Sequence, residues 1–283
     1  MTPLSTLGLV VALLLTLPSP CFAAAAKLTD PALARLAWTI DGVDREAAVH
    51  VPSTIPAGGA PLVFVFHGRN NQLAGFVNYF PVHRGWPEAV VVYMQGLVMP
   101  WPKGRNANGT EKSGTGWQLE PGGQDDRDLK FFDTVLATVQ QKHAIDPARI
   151  YAAGHSNGAA FTYLLWQQRA SIFAGFAPVA GGLWAARDSR DVTSLLVPKP
   201  VLQIAGRKDT TVKFELMEAM VGIVRRVNGC EADSIPWGDD RCLLYPSRTG
   251  RTPVVAYYHP GGHGVPKDAV PLIVRFFQEH RRL

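Results

Sequence analysis

Hydrophobic residues along this chain fall into short continuous runs, separated by polar or glycine-rich stretches and by longer segments with helical spacing. Leu62–Phe66 and Val90–Met94 are uninterrupted apolar runs, the pattern of strands buried on both faces. Phe173–Val179, Val201–Ala205 and Val254–Tyr258 repeat that pattern towards the C-terminus. Leu36–Ile40 and Glu46–Val51 flank Asp41-Gly42, which predicts an antiparallel pair closed by a tight turn. Helical spacing covers Asp126–Lys142, where Leu129, Phe132, Val135, Leu136 and Val139 share one face, and a last helix is expected over Ala269–Gln278. Strands that alternate with helices in this order predict an α/β fold. Its sheet would be doubly wound, mostly parallel and flanked by helices, with the ligand site outside the carboxyl ends of the strands.

One stretch joins this pattern to chemistry. In Arg149-Ile150-Tyr151-Ala152-Ala153-Gly154-His155-Ser156-Asn157-Gly158-Ala159-Ala160, a β-prone run leads into G-x-S-x-G and a helical run leaves it. In that strand–turn–helix setting a serine is held on a strained turn with its hydroxyl exposed, and small residues two before and two after let strand and helix approach closely. Ser156 is therefore the candidate nucleophile. A hydroxyl needs a base to take its proton, and the base needs an acid to orient it; both are expected just past strand ends. Asp209 follows the strand Val201–Ala205, with Asp188 and Asp191 as rivals after the preceding strand. His263 follows Val254–Tyr258 among flanking glycines, with His259, hard against the strand end and before a proline, as its rival. The oxyanion of an acyl-transfer intermediate needs two donors. The backbone amide of Asn157 is one, and Arg69, in the loop after Phe66, supplies the second, with Gly68 next in line. His67 is expected to brace that loop.

Gly96–Gln124 is long and dense in Gly, Asn, Pro and Trp, which marks a candidate binding loop. Trp101 and Trp117 within it, and Trp184 and Trp237 beside later loops, are candidates for stacking on a substrate ring. Between Val179 and Val201 only about twenty residues intervene, too few for a bulky helical lid.

Composition sets the frame. Residues 1–26 combine an apolar run from Leu7 to Leu17 with Pro18-Ser19-Pro20 and small residues Ala23–Ala26, which predicts an export signal cut between Ala23 and Ala26 and no stable membrane association. Residues 27–283 then suit a single catalytic domain. Cys230 and Cys242, in an exported chain, are expected to pair as a disulfide. The net charge of +5 comes from scattered basic residues, which excludes a nucleic-acid-binding stripe, and no ligand pair accompanies the cysteines to make a metal site.

A wider set of residues carries a resemblance: Phe66-His67-Gly68, Asp128-Leu129-Lys130-Phe131-Phe132, Asp146-Pro147-Ala148-Arg149-Ile150-Tyr151, Gly154-His155-Ser156-Asn157-Gly158-Ala159, Gly206-Arg207-Lys208-Asp209-Thr210-Thr211-Val212 and Gly261-Gly262-His263. From about Ala48 to Phe277 the chain resembles the secreted esterases that group polyhydroxybutyrate-depolymerase-like enzymes with feruloyl and acetylxylan esterases. The resemblance implies an α/β-hydrolase fold, for which the order Ser156, Asp209, His263 is the expected one. It also implies hydrolysis of carboxylic esters through an acyl-enzyme, without cofactor. This chain departs from the family in having Ala205 where members usually show histidine, and Gly264-Val265-Pro266 where a tryptophan commonly follows the histidine. Two other readings compete: a serine peptidase on the same fold, and a non-catalytic glycan-binding protein. The first lacks a visible anchor for a peptide terminus, and the second gives no reason for Ser156, Asp209 and His263 to occur together.

Overall fold

The computed structural model describes residues 27–105, 111–188 and 192–282. The segment 1–26, read above as an export signal, lies outside them. The chain begins with β1 (Ala34–Ile40) and β2 (Val43–His50), paired in antiparallel register across Asp41 and Gly42, both at positive φ as that two-residue turn demands. β3 (Ala60–Phe66) follows, then the short helices α1 (Leu73–Tyr79) and α2 (Val82–Gly85), and β4 (Val90–Met94). A hairpin, β5 (Leu97–Arg105) with β6 (Glu111–Gly116), precedes α3 (Arg127–Lys142). β7 (Ile145–His155), α4 (Asn157–Arg169), β8 (Gly175–Val179), β9 (Val201–Gly206) and α5 (Phe214–Asn228) come next. The chain closes with β10 (Ile235–Trp237), β11 (Asp239–Tyr245), β12 (Val254–His259) and α6 (Ala269–Glu279).

Ten of these strands form one sheet, ordered β1-β2-β4-β3-β7-β8-β9-β12-β11-β10. The six central strands, β4 to β12 in that order, run parallel, and antiparallel hairpins extend both edges. Alternation along each strand divides the core in two. Leu62, Phe64 and Phe66 of β3 face one side, with Phe132 of α3, Phe161 and Trp166 of α4 and Met217 of α5. Val63 and Val65 face the other, with Phe76 of α1, Val82 of α2 and Phe277 of α6. Apolar residues on both faces of the central strands are what make their sequences continuous apolar runs.

Three expectations are corrected. Gly96–Gln124 is not an open loop: much of it folds as the β5–β6 hairpin, because the main chain of Leu97–Pro100 finds ladder partners in Ser113–Gly116. The edge hairpin β10–β11 and the helix α5 add elements that the apolar runs did not mark. The structure also does not join Cys230 to Cys242. Cys242 sits on β11 opposite Tyr257, on the α6 side of the sheet, whereas Cys230 follows α5 and packs against the other side. The sheet stands between the two sulfurs, and closeness in sequence gives no closeness in space.

Candidate active site

Four strand ends converge at the carboxyl edge of the sheet. β7 carries Ser156 into the turn before α4, where it adopts φ 57°, ψ −116°, a conformation that costs an L-residue strain and is held from both sides. The Ser156 amide donates to Val179 O at 2.9 Å and its carbonyl accepts from Ala160. The flanking glycines are required by contact: a methyl on Gly154 would strike the Gly158 carbonyl, and one on Gly158 would strike the Phe66 carbonyl. Strand β7, helix α4 and strand β3 thus touch through bare backbone.

Past β9, Asp209 is buried, 5% exposed. One carboxylate oxygen, Oδ1, accepts the amides of Thr211 and Val212 at 2.8 and 2.9 Å, and Oδ2 lies 2.8 Å from His263 Nδ1. Past β12, His263 brings Nε2 to 2.8 Å from Ser156 Oγ. A carboxylate only accepts, so Nδ1 carries the proton and Nε2 is left bare towards the hydroxyl. The acid and histidine loops are joined main chain to main chain, Arg207 N to His259 O and Lys208 N to Gly261 O, both at 2.9 Å. The rival histidine is placed elsewhere. The imidazole of His259 turns back to accept the Gly261 amide at 3.2 Å and so shapes the turn. Asp191 and the side chain of Asp188 lie outside the described residues.

The loop after β3 lies against the serine: a methyl on Gly68 would stand 3.3 Å from Ser156 Cβ. His67 braces it. Its Nδ1–H donates to Gly68 O at 2.6 Å, and Nε2 accepts the Gly96 amide and the Gln95 side-chain amide, each at 2.9 Å. Arg69 follows, half-buried, with Asn70 at φ 62° turning the chain so that its amide reaches Thr115 O at 2.9 Å. Asn157 opens α4, so its amide has no acceptor within the helix. Its side chain, unforeseen in the sequence, clamps the Trp117 main chain, accepting from N at 2.7 Å and donating to O at 3.1 Å.

Two of the four tryptophans, Trp117 and Trp237, behave differently from expectation. Trp117 is fully buried, stacked on Phe161 at 5.1 Å, and its Nε1–H donates to His67 O at 2.9 Å, so it supports the loop after β3 from below and offers no face to a ligand. Trp237 is buried beneath Arg275 with Nε1–H on Glu279. Trp184 is half-buried in the turn after β8, and the side chain of Trp101, on β5, lies outside the described residues. Beside the acid loop lies a small apolar cleft lined by Gly182, Leu183, Val212, Met217, Met220 and Ile223. Among the described residues no three His, Cys, Asp or Glu side chains gather to hold a metal ion.

Burial holds two histidines neutral. Desolvation pushes His67 down to about 4, opposed by its bond to Gly68. Desolvation likewise pushes His155 down to about 4, opposed by a bond to the His263 main chain. Unfolded, each would titrate near 6.5, so between there and pH 4 the unfolded chain binds more protons than the folded one. Stability is full above about pH 6.5 and declines as pH falls, before surface carboxylates begin to titrate. Calorimetry at pH 7.5 and pH 5 is expected to show a midpoint several degrees lower at the acid value; equal midpoints would contradict these buried neutral rings.

No protein-family model matches the chain. Its sequence is 24% identical over 225 residues to a bifunctional acetylxylan esterase/xylanase of Neocallimastix patriciarum, covering 79% of this chain and 29% of that one. It is 30% identical over 135 residues to poly(3-hydroxyalkanoate) depolymerase C of Paucimonas lemoignei, covering 47% and 30%. With feruloyl esterase B of Piromyces equi it shares 28% over 126 residues, covering 44% and 21%. The matched stretch thus spans less than a third of each of these curated relatives. Among solved structures, the acetyl xylan esterase from Aspergillus awamori superposes with a TM-score of 0.60 at 12% identity, covering 87% of this chain and 99% of that one. With the mostly parallel sheet and its flanking helices, that likeness establishes an α/β-hydrolase fold.

Proposed function

We propose that this chain, with its α/β-hydrolase fold and sequence relatives among ester hydrolases, is itself a secreted serine esterase that hydrolyses carboxylic esters through an acyl-enzyme. The observation that carries the reading is the unbroken relay from Ser156 Oγ through His263 to Asp209, with two contacts of 2.8 Å. In the first half-reaction Ser156 Oγ attacks the ester carbonyl carbon and its proton passes to His263 Nε2. The developing oxyanion takes hydrogen bonds from the amides of Asn157 and Arg69, each worth about 3 kcal/mol in the transition state. Collapse breaks the bond to the alcohol, which leaves with the proton from Nε2, and the acyl group stays on Ser156. Water then attacks with His263 again as base, releasing the acid and restoring the serine. Asp209 keeps the imidazole in the tautomer this cycle needs and stabilises the transient imidazolium.

For substrate, we favour short-chain polyhydroxyalkanoate-type esters or acetyl and feruloyl esters on polysaccharide, the classes named by the relatives. The short connection from β8 to β9 supports an uncapped site. Secretion is supported by the composition of residues 1–26. The test is hydrolysis of p-nitrophenyl acetate, butyrate and octanoate alongside methyl ferulate. Acetate and butyrate are expected to be turned over faster than octanoate; no hydrolysis of any of the four would overturn the reading.

A further inference from the structure

His155 stands between Gly154 and Ser156 and has no place in the relay, yet it touches the loop that carries His263 and lies against the loop after β3. Its ring is buried, 6% exposed, and Nε2 lies 2.6 Å from the main-chain oxygen of His263. A carbonyl only accepts, so Nε2 carries the ring proton and donates it there. Nδ1 is therefore bare, and it faces the oxyanion loop: a methyl on Gly68 would stand 3.0 Å from it. Nδ1 has no hydrogen-bond partner among the described residues. The ring sits 5.1 Å from that of His263, and Tyr79 of α1 closes over it edge-on at 5.8 Å. Tyr79 also reaches the same loop directly, its hydroxyl accepting the Val265 amide at 2.7 Å. The loop is thus gripped at two main-chain points, the carbonyl of residue 263 and the amide of residue 265, on either side of Gly264.

The grip answers a physical need. Gly261, Gly262 and Gly264 surround His263 with the residues that restrict a backbone least. The acid loop fastens this segment at His259 and Gly261, upstream of the imidazole, and leaves the downstream side to other contacts. Displacing a reacting group by about 1 Å can cost about 100-fold in rate. We propose that His155 and Tyr79 form a two-point clamp on the His263 loop and are positioning residues for the imidazole that faces Ser156. A histidine suits the task because it is rigid, donates from the far end of its ring and stays neutral when buried. Leucine in its place would leave the His263 carbonyl without its donor, whereas the Nε2 of glutamine can restore that donor.

This inference rests on the esterase reading, and the experiment separates the two. The full chain is assayed with p-nitrophenyl butyrate as wild type, His155→Leu, His155→Gln and Tyr79→Phe, and each variant's thermal unfolding midpoint is recorded. His155→Leu is expected to lower kcat about 10- to 100-fold with KM changed less than about 2-fold, while His155→Gln recovers most of the loss. Tyr79→Phe, which deletes one hydroxyl, is expected to lower kcat about 5- to 10-fold with KM likewise held. A silent wild type would sink the esterase reading itself. An active wild type matched by His155→Leu, or a His155→Gln as impaired as His155→Leu, would overturn the clamp. Should His155→Leu fail to fold, Tyr79→Phe decides: wild-type kcat overturns the clamp, and a lowered kcat at unchanged KM supports it.

Discussion

Replacing Ser156 with alanine is expected to lower kcat by about 10⁶-fold while leaving the fold intact. The size of the loss follows from the absence of a substitute: Oγ is the group that meets Nε2 of His263. Without it the relay has nothing to deprotonate, and only the donors of the oxyanion loop and binding remain, worth roughly 10³–10⁴ over water. The fold should tolerate the change. Ser156 is fixed through its amide on Val179 and its carbonyl on Ala160, both main-chain contacts that alanine keeps. The unfolding midpoint should stay level or rise, since sites built for reaction are often less stable than they could be. Measured kcat for p-nitrophenyl butyrate, with the midpoint from circular dichroism, checks both halves. Wild-type turnover in a folded Ser156→Ala would remove Ser156 as nucleophile and move a non-catalytic binding role to the front.

Asp209→Asn is expected to cost about 10⁴-fold in kcat, and the geometry gives the reason. An amide has one oxygen and one NH₂ where the carboxylate has two acceptors. The amides of Thr211 and Val212 both donate to Oδ1, so the asparagine oxygen must stay there and the NH₂ must turn to His263. Nδ1 then becomes the acceptor, Nε2 takes the proton, and the imidazole presents N–H to Ser156 instead of a lone pair. The opposite orientation would set NH₂ against two main-chain donors. KM should change little, because nothing in the ester-facing surface is altered. A folded Asp209→Asn at wild-type rate would mean that another carboxylate orients the base.

Much of this was legible before any coordinates. Continuous apolar runs marked the central strands because both sheet faces are covered, and G-x-S-x-G marked the elbow because strand, turn and helix need small residues where their backbones meet. Topology alone pointed to Asp209 and His263, as polar residues just beyond strand ends, and the structure brings both within one hydrogen-bonded chain to Ser156. What failed depended on facts that neighbours in sequence do not carry. Cys230 and Cys242 looked pairable until β11 put one of them on the far side of the sheet. Trp117 looked like a ligand platform, but the Asn157 side chain pins its backbone and its indole N–H donates to the main-chain oxygen of His67. α5 had a readable signal in Met217, Met220, Val221 and Val224, spaced for one helical face. His155 had none, because its partner is a main-chain oxygen 108 residues away.

The main-chain bonds between the acid and histidine loops bear on how such a site can change over generations. Arg207 and Lys208 contribute only their amides to His259 and Gly261, and Ala205 lies within the core, away from the reacting groups. The spacing of acid and base is therefore written in backbone: the Arg207 side chain is engaged over the rings of Phe214 and Tyr258, while the exposed side chain at 208 is at liberty to drift. A lineage could retune what the rim of the site prefers by substituting there, or past His263, where glycine, valine and proline stand in place of an aromatic, without first having to rebuild the relay beneath.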